Sequence, residues 1–185
     1  MAEIRTVTRS PEATTEFGRE LTARLRAPML LLLSGELGAG KTTLAKGIIS
    51  GLGAAKEDDV TSPTFTLVHV FKRQADGLKI YHVDLYRISG FADLESLGLE
   101  DALAESAIMI VEWPGKLTLR TDWPVVRIHL EHRPQNGTPL ENEGGECRQI
   151  TVLDPADVLR DGGFAVTADD SKIAKYKTTR GSDGC

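Results

Sequence analysis

Met29-Leu30-Leu31-Leu32-Leu33-Ser34-Gly35-Glu36-Leu37-Gly38-Ala39-Gly40-Lys41-Thr42-Thr43 is the stretch that sets the architecture of this chain. Its first five residues are continuously apolar, the pattern of a strand buried on both faces of a parallel sheet. Gly35 to Thr42 then fits G-x-x-x-x-G-K-[ST] at every defined position. Gly35, Gly38 and Gly40 let the backbone curl, so that successive N–H groups, that of Ala39 among them, point inward at phosphate oxygens. The helix opening at Lys41 adds the positive end of its dipole. In this pattern Lys41 reaches β- and γ-phosphates and the Thr42 hydroxyl can ligate Mg²⁺. Leu44, Ile48 and Leu52 continue as the apolar stripe of that helix, which Gly53 ends.

A phosphate-binding loop leaves the reaction open, because something must hold Mg²⁺ from the opposite side. An acid at the end of a neighbouring apolar strand is the usual device, and Ile108-Met109-Ile110-Val111 followed by Glu112 supplies it. Ligands in open α/β sheets gather at the carboxyl ends of strands, where Ser34, Gly35 and Glu112 all fall. In Lys79 to Tyr86, Tyr81, Val83 and Leu85 share one strand face and His82 and Asp84 the other. Asp84 could orient water, sense the γ-phosphate, assist Mg²⁺, or only cap the turn into Leu85-Tyr86-Arg87. His82 reads as a structural histidine more than a base, since phosphoryl transfer needs positioning more than proton abstraction. Trp113 precedes Pro114, which enforces an exit from the strand and leaves the indole near bound nucleotide or a partner surface.

Around this centre, Ser10-Pro11-Glu12 reads as a helix start. Ala13, Phe17, Leu21 and Leu25 recur at helical spacing, and Pro28 closes that helix. Phe65 to Phe71 and Lys79 to Tyr86 are expected as two strands joined by a polar turn, and Asp93 to Leu103 as one or two helical turns. Val126, Ile128 and Leu130 alternate, as do Ile150 and Val152, which predicts an antiparallel hairpin. Its connection, 133–146, is rich in Gly, Asn, Pro and Glu and is expected to be mobile. Periodicity is lost from Leu159 onward. The expected organisation is one P-loop domain over 1–158 and a loosely held tail over 159–185.

The chain has 185 residues, enough for one α/β domain, with a soluble-protein composition of 41% apolar and 26% charged residues. No apolar run is long enough to cross a bilayer and the first ten residues carry no secretory h-region, so no membrane association is expected. Two cysteines, Cys147 and Cys185, give neither a disulfide framework nor a zinc site. A reducing cytoplasm fits them. The formal charge of −5 argues against unaided tRNA or DNA binding, which draws most of its affinity from phosphate contacts. The basic cluster Lys172, Lys175, Lys177 and Arg180 reads as a solvated tail more than as a nucleic-acid contact.

Four segments after the strand carry a specific likeness. Glu36-Leu37-Gly38-Ala39-Gly40-Lys41-Thr42-Thr43, Ser62-Pro63-Thr64-Phe65-Thr66-Leu67-Val68, His82-Val83-Asp84-Leu85-Tyr86-Arg87 and Glu112-Trp113-Pro114 stand in the order and spacing of the TsaE family, and Leu97-Gly98-Leu99 matches its short helical element. From about Ser10 to Leu153 the chain thus resembles the ATP-hydrolysing accessory proteins of bacterial tRNA threonylcarbamoyladenosine synthesis. The resemblance implies ATP and Mg²⁺ as ligands, slow hydrolysis alone, and action on a TsaB–TsaD heterodimer that itself bears the tRNA. It further implies that Lys41, Thr42 and Thr43 hold phosphates, that Thr42 and Glu112 hold Mg²⁺, and that Asp84 and Trp113 are needed for activity. Ser62 to Thr64 would act as a switch-like loop and Pro11 to Thr14 would border the adenine. Gly115 departs from the family, which commonly has an acid there.

Two other readings compete. A P-loop small-molecule kinase usually carries an arginine-bearing lid, whereas Arg73, Arg87 and Arg120 are scattered. A GTP switch would need a guanine-reading Asn-Lys-x-Asp, and the only asparagines are Asn136 and Asn142. The expected fold is a three-layer α/β P-loop domain, its central sheet mostly parallel and extended by antiparallel strands.

Overall fold

The apolar run 29–33 forms a strand at the centre of the sheet, hydrogen-bonded on both sides by parallel neighbours. The computed structural model describes residues 2–88, 91–117, 121–133, 147–154, 159 and 177–178. Among these the order is β1 (Ala2–Thr8), α1 (Pro11–Thr22), β2 (Met29–Gly35), α2 (Lys41–Gly51), β3 (Val68–Lys72), β4 (Lys79–Asp84), α3 (Phe91–Glu95), α4 (Leu99–Leu103), β5 (Ile108–Glu112), β6 (Val125–Arg133), β7 (Cys147–Asp154) and β8 (Lys177–Thr178). The strands form one sheet ordered β3-β4-β5-β2-β6-β7-β1-β8. The central four, β4, β5, β2 and β6, run parallel. β3 joins one side antiparallel, and β7, β1 and β8 the other. The mostly parallel centre with antiparallel extensions is therefore as expected.

Period-two alternation assigns the faces. Leu31 and Leu33 of β2, Ile108 and Ile110 of β5, and Val126, Ile128 and Leu130 of β6 face α1 and α2 in one apolar cluster. Leu30, Val83, Met109 and Val111 face the other way, onto Leu94, Leu99 and Ala102 of the α3–α4 region. That second layer covers only part of the sheet, for Arg127 and His129 on the same face of β6 are exposed.

α1 and α2 cross at unusually short range. A Cβ on Gly47 would lie 2.0 Å from the Thr15 carbonyl oxygen, and one on Gly18 would lie 2.6 Å from that of Leu44. Backbone thus meets backbone, which fixes the start of α1 beside the start of α2. Ser10 caps α1 as its sequence predicts, its hydroxyl accepting from the Ala13 N–H at 3.1 Å.

Four local features differ from the sequence reading. β1 was not anticipated: its inward row is Ile4, Thr6 and Thr8, and threonines on the buried side blur the apolar alternation. α1 ends at Thr22, ahead of Pro28, and Leu25 is buried from the turn that follows. β3 begins at Val68 instead of Phe65, because 64–66 form a turn and Leu67 adopts a left-handed φ of 65°. Beyond residue 158, Leu159 is buried, with its N–H on Asp154 Oδ2 at 2.8 Å, and Lys177–Thr178 pair with β1. The rest of the expected tail, with Lys172, Lys175 and Arg180, lies outside the described residues, as does the connection 134–146. No helix among the described residues is long and apolar enough to cross a membrane.

Candidate nucleotide site

The loop between β2 and α2 has the backbone its glycines require. Gly35 adopts φ +140°, and a Cβ there would stand 2.2 Å from the Leu130 carbonyl of β6. Only a hydrogen fits where the loop leaves the sheet. Gly38 and Gly40 follow at φ +79° and +97°, and Gly40 forms the N-cap of α2 with no side chain in the way. Ala39 is fully buried beneath the loop. Leu37, at the tip, is 74% exposed.

Lys41 and Thr42 open α2 and face the ends of β5 and β4. The Lys41 ammonium donates to the carbonyls of Gly35 (3.0 Å) and Glu36 (2.7 Å) and lies 3.7 Å from the centre of the Trp113 ring. Such a cation–π contact is worth about 2 kcal/mol when desolvated. Burial pulls the ammonium below its ordinary range, and the nearby Glu112 and Asp84 charges oppose that shift. Trp113 takes this position because it leaves β5 with φ 59°, its N–H on the Leu33 carbonyl, and its ring 5.0 Å from that of Tyr86. The following Pro114 opens a 3₁₀ turn, the strand exit expected of it.

Thr42 and Glu112 meet directly. The Thr42 hydroxyl donates to the carboxylate, lying 2.9 and 3.0 Å from its two oxygens. Glu112 is 2% exposed and also accepts from His82 Nε2 at 2.8 Å. His82 is fully buried, and its Nδ1 has no partner among the described residues. The histidine read as structural more than as a base thus touches the acid that ends β5.

Asp84 ends β4 in register with Glu112. Its Oδ1 accepts from the Tyr86 N–H at 2.9 Å, which is the turn cap anticipated as one of its roles. Its Oδ2 accepts from Ser62 at 2.7 Å and from Thr64 at 2.8 Å, so the carboxylate also holds the 62–64 loop against the site. Phe65 beside that loop is 83% exposed, with the Arg87 guanidinium 4.4 Å over its ring.

Three further residues border the loop. The Thr14 hydroxyl pairs with that of Thr8 at 2.7 Å, and its methyl lies 3.8 Å from where a Gly40 Cβ would be. This brings the first turn of α1 to the loop, while Pro11 is exposed at its start. From β7, Arg148 Nε is 3.0 Å from the same Gly40 position, and His132 of β6 approaches Gly38. No sequence signal marked Arg148 or His132, because the hairpin that carries them is placed only by the sheet. Thr43 is half-buried in the first turn of α2, and Gly115 faces open space.

The oxygen donors here suit Mg²⁺. One hydroxyl and one carboxylate at hydrogen-bond distance, beside the glycine loop, match an ion that keeps waters and binds through one or two carboxylates plus phosphates. Among the described residues, no group of three or more His, Cys, Asp or Glu could hold a metal ion by itself.

Fold and loop together define a P-loop-type α/β domain. The family model described as "Threonylcarbamoyl adenosine biosynthesis protein TsaE" matches residues 8–140, and the chain belongs to that family, which takes part in making threonylcarbamoyladenosine in tRNA. It is 50% identical over 139 residues to the "tRNA threonylcarbamoyladenosine biosynthesis protein TsaE" of Streptomyces coelicolor, covering 74% of this chain and 87% of the relative. The protein of the same name from Treponema pallidum is 34% identical over 127 residues, 69% of this chain and 90% of the relative. Among solved structures, the crystal structure of YdiB from Bacillus subtilis aligns with a TM-score of 0.60 at 27% identity, covering 86% of this chain and 91% of that one.

Proposed function

We propose that the chain is a Mg²⁺-dependent ATPase that serves tRNA threonylcarbamoyladenosine synthesis in the cytoplasm by acting on a TsaB–TsaD heterodimer. The observation that carries this reading is the contact of Thr42 with Glu112 at the mouth of the glycine loop, close enough for the Glu112 charge to act on the Lys41 ammonium. The reaction assigned is transfer of the γ-phosphoryl group of ATP to water. The loop N–H groups from Gly38 to Thr43 would cradle phosphates, and the Lys41 ammonium would exchange its two carbonyl partners for phosphate oxygens. Thr42 and Glu112 would hold Mg²⁺, which when bound would supply neutralisation of phosphate charge. Trp113 would keep Lys41 in place from one side. Asp84, through Ser62 and Thr64, would couple the loop at 62–64 to the state of the site. Pro11 and the first turn of α1 would border the nucleoside. The net charge of −5 fits a protein that reaches tRNA only through its partners.

The test is Mg²⁺-dependent phosphate release from ATP, by the chain alone and with cognate TsaB and TsaD. A large rise on adding the partners, absent in Lys41→Ala, is the expected result. No stimulation while the three proteins demonstrably associate would overturn the accessory-ATPase reading, and phosphate found on a metabolite would favour a kinase.

A further inference from the structure

We infer that His82 is a positioning residue for Glu112, holding the carboxylate in place through Nε2 when Thr42 turns to a metal ion. The inference rests on the Mg²⁺ site proposed above and assigns a role that packing does not explain. His82 sits on the inward row of β4 between Ile80 and Asp84, and both Ile80 and His82 are completely buried. A leucine or valine could fill such a position without leaving a polar atom behind. The imidazole instead leaves Nδ1 buried with no partner among the described residues, a cost that an apolar side chain would avoid.

The other ring nitrogen accounts for the choice. A carboxylate only accepts, so the hydrogen of the 2.8 Å contact sits on Nε2. Across the β4–β5 pair Glu112 is in register with Asp84, while His82 is in register with Ile110. The Glu112 side chain therefore leans diagonally to reach His82, and that bond selects its direction. Among the described residues, the side-chain groups that hold Glu112 are the Thr42 hydroxyl and His82. Thr42 is the one that a metal would claim. His82 lies beneath, fully buried, and can keep its bond when Thr42 is drawn away. Hydrogen bonds of this kind to ligating side chains typically set metal affinity or activity by 10- to 100-fold, in order of magnitude.

The experiment is calorimetric titration of ADP into the protein, in EDTA and across a Mg²⁺ series, for wild type, His82→Leu and His82→Gln. The glutamine amide can place an N–H near the position of Nε2. His82→Leu is expected to raise the Mg²⁺ needed for half of the affinity gain by about 10- to 100-fold, and His82→Gln to stay close to wild type. ADP affinity in EDTA should be the same in all three, which also confirms an intact loop. If His82→Leu does not fold, His82→Met serves as the apolar variant. An apolar variant with the wild-type Mg²⁺ response would overturn the role of His82. So would a His82→Gln variant as deficient as the apolar one, since shape and not the donor would then matter. A wild type whose ADP affinity ignores Mg²⁺ would instead overturn the site reading on which the inference rests.

Discussion

The Thr42 hydroxyl lies within 3.0 Å of both carboxylate oxygens of Glu112, although the two residues are separated by 70 positions in the chain. β2 and β5 are parallel neighbours with Leu33 opposite Glu112, so the loop after one strand and the acid ending the other must converge. Glu112→Gln, which keeps shape and removes charge, is expected to lower Mg²⁺-dependent ATP hydrolysis by roughly 10²- to 10³-fold while ADP binding in EDTA persists. Thr42→Ala in that background should add little, because the proposed site has both act through one ion. Steady-state phosphate release by the two single variants and the double variant measures this.

Lys41 gives a pH dependence. Burial holds its folded-state pKa below 10.5, and only the protonated form attracts phosphate. Nucleotide affinity is therefore expected to fall as pH rises from neutrality through that lowered value, before 10.5 is reached. For stability the sign is opposite. Between the folded value and the unfolded one, the unfolded chain binds the extra proton, so the stability contribution of Lys41 increases with pH across that window. Nucleotide titrations at stepped alkaline pH, with Lys41→Arg as a permanently charged comparison, check the first statement.

The crossing of α1 and α2 tolerates no added carbon at Gly47, whose Cβ would fall 2.0 Å from the Thr15 oxygen. Gly47→Ala must part the helices and is expected to cost about 1–3 kcal/mol, lowering Tm by roughly 3–10 °C. Gly115→Ala, with nothing within 4 Å of the new carbon, should stay within about 0.5 kcal/mol of wild type. Thermal melts followed by circular dichroism distinguish the two.

Asp84 Oδ2 holds Ser62 and Thr64 at 2.7 and 2.8 Å. Removing both hydroxyls in Ser62→Ala/Thr64→Ala takes away two hydrogen bonds to a carboxylate, each worth roughly 1.5–3 kcal/mol. Amide exchange should accelerate about tenfold or more at Leu67, whose N–H bonds to the Pro63 carbonyl, and at Asp84, whose N–H bonds to that of Leu67. Amides in the centre of β2 should exchange at the wild-type rate. Hydrogen exchange mass spectrometry resolves the two segments.

Where sequence reading succeeded, the information was local. Leu30 to Leu33 are apolar without a break because the strand has protein on both faces, and Glu112 could be picked out as the acid directly after a buried strand. The alternation of β4 likewise put His82 and Asp84 on one face. It could not say what that face met. His82 touches Glu112 only because β4 lies beside β5, and a histidine with an orphaned Nδ1 looks the same in sequence as one that is fully bonded. β1 was missed because Thr6 and Thr8 face inward, where alternation would ask for apolar residues.

By itself, then, the sequence determined the elements whose physical demands fall within a few residues: the glycine loop and its helix, the buried strands, the Ser10 cap and the strand-end acid. Only the tertiary structure decided which side chains share a site. The order β4-β5-β2-β6-β7 carries His82, Asp84, Glu112, His132 and Arg148 toward one loop, and the glycine crossing at Gly18 and Gly47 brings Thr14 beside them. Strand order and helix approach are set by burial summed over the whole sheet. No short window of sequence contains that sum.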